Sequence, residues 1–152
     1  MSALPRVERV YVALGSNLGD RAGHLAFARA RLAALPGGRL VAVSRIEETA
    51  PLGPVPQGPY LNQMVLLETA LEPLDLLRCL VDIEQAAGRV RGPGLRWGPR
   101  TLDLDIVRFG DRELDGAELT VPHPELPHRD FWRRELAELD APAHVPQSPR
   151  VR

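Results

Sequence analysis

Hydrophobic positions change their spacing several times along this chain, and each change separates one predicted element from the next. Short runs rich in β-branched residues alternate between apolar and other side chains, which is typical of strands. Elsewhere apolar residues recur every three or four positions, which predicts helices with one buried face. Glycine and proline interrupt both patterns at 36–38 and 50–59. The predicted strands are 9–14, 40–49, 61–69, 101–109 and 119–121, and the predicted helices are 21–35, 73–87 and 128–139.

The order of these elements predicts the fold. Strand, helix, two strands, helix and strand follow one another, which is the β-α-β-β-α-β order of the ferredoxin-like fold. We therefore expect an α+β protein with an antiparallel sheet covered by helices in α/β/α layers. No repeat or linker divides the chain, so residues 1–140 are predicted to form a single domain. Three prolines and polar residues in 141–152 indicate a flexible C-terminal tail.

The amino-acid composition limits the classes of function that the chain can have. Hydrophobic residues make up 44% and charged residues 26% of the 152 residues, as in soluble globular proteins. A net charge of −1 gives no sign of a nucleic-acid or membrane surface. No apolar run approaches a membrane span and the N-terminus has no leader-like segment, so we expect a cytoplasmic protein, and we expect a monomer.

All 19 basic residues are arginine. Without lysine, the chain has neither a Walker-A lysine nor a Schiff-base lysine, and any phosphate must be bound by arginine or metal. The single Cys79 excludes an intrachain disulfide. It lies beside Leu76, Leu80 and Ile83 on a helix face, so we expect a small buried hydrophobe in preference to a catalytic thiol.

Two carboxylates at strand spacing are the strongest chemical signal. Asp103 and Asp105 should point to the same face of their strand, with their Cα atoms about 6 to 7 Å apart, while the alternating apolar residues point into a core. Paired carboxylates suit Mg²⁺ bound to substrate phosphates. An ordinary half-buried strand with a polar face is the alternative. Four nearby arginines favour a magnesium polyphosphate site: Arg89, Arg91, Arg96 and Arg100.

Four segments of the chain form one set: Tyr11–Asp20, Glu48–Pro54 with Tyr60–Asn62, Arg96–Asp105, and Leu119–Glu125 with Arg129–Phe131. Together they resemble one family, 6-hydroxymethyl-7,8-dihydropterin pyrophosphokinase of folate biosynthesis. The resemblance implies transfer of diphosphate from ATP to a pterin alcohol with release of AMP, in the ferredoxin-like fold, with two Mg²⁺ ions. It covers about nine-tenths of the chain.

The resemblance also implies a role for each matching residue. Asp103 and Asp105 would hold the metal and, with Arg89, Arg91 and Arg100, act in catalysis. The pterin would lie against Thr49, Ala50, Leu52, Tyr60, Asn62, Trp97 and Phe131. ATP would contact Arg89, Arg91, Arg100, Ile106, Thr120, His123 and Arg129.

Several of these residues also have a purely structural interpretation. Tyr60 and Phe131 are open to a role as core aromatics, and Asn62 to one as a turn residue. A zinc site at His123 and His128 is disfavoured because no third ligand lies at zinc spacing. The glycine- and proline-rich segment 88–99 predicts a mobile loop that closes as a lid, with Trp97 over the pterin.

Two other functions share parts of this pattern. RNA-recognition modules have the same fold, but they need exposed aromatic residues, and only 5% of this chain is aromatic. A phosphohydrolase or a one-phosphate kinase would use the same metal pair. AMP, ADP or free phosphate as the product distinguishes the three enzymes.

Overall fold

The computed structural model describes residues 6–51, 57–88 and 101–140, and it confirms the predicted α+β, ferredoxin-like class. The strands are β1 (Glu8–Ser16), β2 (Gly38–Val43), β3 (Glu47–Thr49), β4 (Tyr60–Thr69), β5 (Asp103–Phe109), β6 (Leu114–Asp115) and β7 (Thr120–Val121). The helices are α1 (Arg21–Ala33), α2 (Pro73–Ala86) and α3 (Asp130–Asp140), with a 3₁₀ turn at Leu126–His128.

The main sheet is antiparallel and has the strand order β2-β4-β1-β5, with β3 paired to the other part of β4. The predicted strand 40–49 is therefore wrong as one strand. Ser44 breaks it: its backbone N–H still donates to Met64 O at 2.8 Å, but its hydroxyl accepts the Met64 N–H at 2.9 Å and donates to Arg45 O. The side chain thus replaces a backbone acceptor of the ladder.

Further differences from the predictions concern β5, α3 and β6. The acidic strand begins at Asp103 rather than at 101, although Leu102 before it is fully buried. His128 lies in the 3₁₀ turn and not in α3, because Arg129 is extended between the two. Strand β6 is additional, and its two residues are too few to show a periodic pattern.

Helices cover both faces of the sheet. Helices α1 and α2 pack on one face, where the alternating residues Val10, Val12 and Leu14 of β1 are all buried. Helix α3 packs on the other face through Trp132, Leu136 and Leu139, as its spacing predicts. These three layers are the predicted α/β/α arrangement.

Cys79 corrects a second expectation. The Cys79 side chain is only partly buried. It lies beside the apolar stripe of α2, whose residues Leu76, Leu80 and Ile83 are almost completely buried. Partial burial, with Asp82 and Asp75 nearby, raises the pKa of the Cys79 thiol. A thiol with a raised pKa is a poor nucleophile at neutral pH. Among the described residues, no helix is long and apolar enough to cross a membrane.

Candidate active site

Asp103 and Asp105 occupy the start of β5 and point to the same face of the sheet. Both are half-buried, whereas Leu104 and Ile106 between and after them are 5% and 2% exposed in the core under α1 and α2. The predicted alternation is confirmed. Strand β5 is at the edge of the main sheet, and because Leu104 and Ile106 face α1 and α2, its two carboxylates face the α3 side.

Glu84 on α2 fixes the strand between the two aspartates. Its Oε2 accepts the Leu104 N–H at 2.7 Å, and the side chain is 3% exposed. A buried carboxylate that accepts a backbone N–H restrains the backbone of both neighbouring aspartates. Sequence reasoning missed Glu84, although an acid next to Ile83 in the apolar stripe of α2 was the available signal.

His123 approaches Asp105 from the segment after β7. Its backbone N–H donates to Val107 O at 2.9 Å, and its Nδ1 accepts the Glu125 N–H at 3.0 Å. Because Nδ1 is an acceptor, a neutral His123 carries its proton on Nε2, which lies 3.7 Å from Asp105 Oδ1. The Trp132 ring supports the imidazole edge-on at 4.9 Å. His123 therefore presents an N–H beside the acid pair.

Arg129 completes this side of the site. Its guanidinium carbon lies 4.4 Å from the centre of the Trp132 ring, so one indole holds both Arg129 and His123. Arg129 Nε is buried, and no group among the described residues accepts its proton. A buried guanidinium N–H without an acceptor suits an anionic ligand such as phosphate.

These groups meet in one cavity of about 490 Å³. The structure thus brings together four residues predicted from sequence, namely Asp103, Asp105, His123 and Arg129, and adds Glu84 and Glu118 to the lining. Thr120 is partly buried in β7, whereas the Ile106 side chain is buried in the core. Only the backbone of Ile106 is placed to contact a ligand.

The predicted pterin residues form a second group on the same face. Asn62 is 7% exposed, and its Nδ2 donates to Thr49 Oγ1 at 2.6 Å. Tyr60 pairs with Thr49 in the ladder between β3 and β4, so all three side chains lie together. Ala50 follows at an exposed position, and Phe131 is half-buried at the start of α3. Phe131 also touches the Trp132 ring edge-on at 6.4 Å.

Gly15 joins the two groups. The sheet register places Gly15 opposite both Asn62 of β4 and Asp103 of β5. A Cβ added to Gly15 would lie 3.4 Å from Asn62 Oδ1 and from the Tyr60 ring, so it would occupy the same face. With neighbouring strands about 4.8 Å apart, Asn62 and Asp103 flank a trough about 10 Å wide whose floor has no side chain. The sequence pattern ended the predicted strand at residue 14 and gave Gly15 no role in the site.

Polar contacts hold the second end of the proline-rich segment beside this trough. Asn17 Nδ2 donates to Gln57 Oε1 at 2.7 Å and to Gly58 O at 3.2 Å. Arg21 donates to Pro59 O at 3.0 Å and pairs with Glu48 at 2.9 Å. Asn17 therefore anchors a loop.

Several predicted residues lie outside the described part of the chain. They are Leu52, Arg89, Arg91, Arg96, Trp97 and Arg100. The proposed lid at 88–99 is also outside it, apart from Gly88, and so is the tail at 141–152. Among the described residues, no group of three or more His, Cys, Asp or Glu side chains is arranged to hold a metal ion. The acid pair alone is the candidate metal site.

Comparison with known proteins finds sequence similarity over most of the chain. The model of the 7,8-dihydro-6-hydroxymethylpterin-pyrophosphokinase family matches residues 11–141. The 2-amino-4-hydroxy-6-hydroxymethyldihydropteridine pyrophosphokinase of Pseudomonas aeruginosa is 47% identical over 140 residues, which are 92% of this chain and 85% of the relative. The Bacillus subtilis protein of the same name is 43% identical over 129 residues, 85% of this chain and 76% of the relative. The Haemophilus influenzae protein is 40% identical over 138 residues, 91% and 85% of the two chains.

Proposed function

Because this chain belongs to the 7,8-dihydro-6-hydroxymethylpterin-pyrophosphokinase family, we propose how it transfers diphosphate to 6-hydroxymethyl-7,8-dihydropterin in folate biosynthesis. ATP would be the donor, the pterin would lie in the trough over Gly15, and Asp103 and Asp105 would hold two Mg²⁺ ions. The observation that carries this proposal is the row of Asn62, Gly15 and Asp103 on one face of the sheet.

The pterin end follows from the hydrogen bond of Asn62. Asn62 Nδ2 uses one of its two N–H groups on Thr49, which leaves its second N–H as a donor and its Oδ1 as an acceptor for the pterin ring. Tyr60 and Phe131 supply aromatic faces for a flat bicyclic ring. A ring bound at Asn62 extends across Gly15 and directs its hydroxymethyl group toward the aspartates.

The phosphate end is built for an anion. Two half-buried carboxylates provide the hard oxygen ligands that Mg²⁺ prefers, and they fit the ion. Asp103 and Asp105 would hold magnesium there, and the ion would supply positive charge against the polyphosphate and the leaving AMP. Arg129 and the Nε2–H of His123 flank the same cavity and would bind phosphate oxygens. Arg89, Arg91 and Arg100 are proposed to add further guanidinium groups.

The chemistry is one displacement at the β-phosphorus of ATP. The pterin hydroxymethyl oxygen forms the new O–P bond, the bond to AMP breaks, and the hydroxyl proton is released. In a loose transition state the attacking alcohol is little deprotonated, so no strong general base is required. The residues act by holding the two substrates in line and excluding water.

A free-magnesium titration tests the two-ion proposal. One ion enters with ATP, so a second ion predicts that turnover keeps rising with free Mg²⁺ after all ATP is complexed. Turnover is measured at fixed MgATP and saturating pterin while free Mg²⁺ increases, and EDTA should abolish it reversibly. A rate that is constant once ATP is complexed would contradict a second ion.

We further propose that residues 1–140 act as one domain and that the protein works as a cytoplasmic monomer. Strand β1 supports the first point, because it contributes to the cores on both faces of the sheet.

A further inference from the structure

Helix α3 buries a carboxyl group that the mechanism does not use. Glu135 is 1% exposed, and neither of its carboxyl oxygens has a hydrogen-bond donor among the described residues. An ionised carboxylate in such a place would lose its hydration without replacement. The hydrogen-bonding capacity of the Glu135 carboxyl group must therefore be met in another way.

Glu47 of β3 provides the solution. It lies within hydrogen-bonding reach of Glu135, and its Oε1 accepts from Arg134 at 2.8 Å. A protonated Glu135 can donate to the Glu47 carboxylate, so that one proton satisfies both groups. Burial first, and the bond to Glu47 second, raise the pKa of Glu135 to about 9. Burial alone would raise the pKa of Glu47, but the bonds from Glu135 and Arg134 outweigh it and lower that pKa.

The pair lies beside the proposed pterin pocket, on the same face of the sheet. Glu47 is the partner of Asn62 in the ladder between β3 and β4, and Thr49 two residues later binds Asn62. Glu135 is one helical turn after Phe131, so the two side chains lie on the same side of α3. A bond between Glu135 and Glu47 therefore joins the helix of Phe131 to the strand of Thr49.

We propose that Glu135 is a positioning residue, which shares one proton with Glu47 and thereby holds Phe131 against the pterin pocket. This proposal rests on the proposed pterin site. The other charged groups near the pair are Arg134 and Glu138 on α3 and Arg45 before β3. Glu138 accepts from the Arg45 backbone at 3.1 Å, so it belongs to a separate contact.

The shared proton predicts a pH dependence of stability. The folded protein keeps the Glu135 proton up to about pH 9, whereas a glutamate in the unfolded chain loses it near 4.5. Between these values the folded state binds the additional proton, so the free energy of unfolding falls as the pH rises. The lowered pKa of Glu47 acts in acid, where its stabilisation is lost as the pH falls.

Two substitutions separate positioning from folding. Glu135→Gln donates to Glu47 without a titrating proton, so it should retain the pterin KM and lose the dependence of stability on pH between 6 and 9. Glu135→Leu should fold, because leucine suits a buried position and Glu47 keeps its ion pair with Arg134, so no buried charge is left without a partner. The leucine side chain cannot form a hydrogen bond to Glu47. We therefore expect the pterin KM to rise about tenfold with kcat within about twofold, which is the size of effect expected when a residue that supports a binding residue is lost. Glu138→Gln is the matched control and should change neither property.

Urea unfolding and steady-state kinetics at pH 6 to 9 test the proposal on these variants. Support requires a steeper fall of stability with pH in the wild type than in Glu135→Gln, together with the raised pterin KM of Glu135→Leu. Equal pH dependences would refute the shared proton, and an unchanged KM would refute the positioning role. If the proposed function were wrong, no variant would turn over the pterin, while the difference in unfolding would persist.

Discussion

Replacing Asp103 or Asp105 with alanine should reduce turnover about 100- to 1,000-fold while the protein remains folded. A metal bound at a reacting phosphate contributes several kcal/mol of transition-state stabilisation, and each 1.36 kcal/mol corresponds to a factor of ten. Both side chains are half-buried at an edge strand, and the adjacent core residues are untouched, so the fold should tolerate the change. Initial rates at saturating substrates, with circular dichroism on the same samples, measure both effects.

A matched control uses an acid remote from the site. Asp111 is exposed in the turn after β5, at the opposite end of that strand. Asp111→Ala should keep wild-type turnover. Near wild-type rates in both Asp103→Ala and Asp105→Ala at saturating Mg²⁺ would contradict the proposal that these two aspartates bind the metal.

Gly15→Val should abolish productive pterin binding, with a loss of about 100-fold in kcat/KM for the pterin. A small displacement of a reacting group costs about this factor, and a valine side chain would fill the trough between Asn62 and Asp103. Even the Cβ would lie 3.4 Å from Asn62 Oδ1. Gly15 is in a regular strand with no positive φ, so the backbone accepts a β-branched residue.

The kinetic effect of Gly15→Val should be confined to the pterin substrate. The KM for ATP should change little, because the Arg129 side of the cavity is across Asp103 from Gly15. Gly58→Val is the control, since a Cβ there meets no heavy atom of the described residues within 4 Å. Pterin kinetics of Gly15→Val equal to those of Gly58→Val would place the pterin elsewhere.

The sequence predicted the parts of this fold that depend on periodicity. Strands β1, β4 and β5 and helices α1 and α2 agree within a few residues, because their apolar faces are long enough to show period two or 3.6. The break of the predicted strand 40–49 at Ser44 could not be predicted in this way. The Ser44 hydroxyl takes over a backbone acceptor, and no apolar pattern reports that exchange.

The site was predicted unevenly for a similar reason. Asp103 and Asp105 stand out in the sequence because their spacing fixes their common face. Gly15 and Glu84 matter through partners that are distant in sequence, namely Asn62 and Leu104. Strand register and helix packing create these contacts, and neither follows from one segment read alone.

Product analysis tests diphosphate transfer most directly. The protein is incubated with ATP, Mg²⁺ and 6-hydroxymethyl-7,8-dihydropterin, and nucleotides and pterins are separated by chromatography, with Asp105→Ala and EDTA as controls. Diphosphate transfer predicts AMP and pterin diphosphate in equal amounts, formed only when pterin and metal are both present. ADP with a pterin monophosphate, or free phosphate formed without pterin, would contradict it.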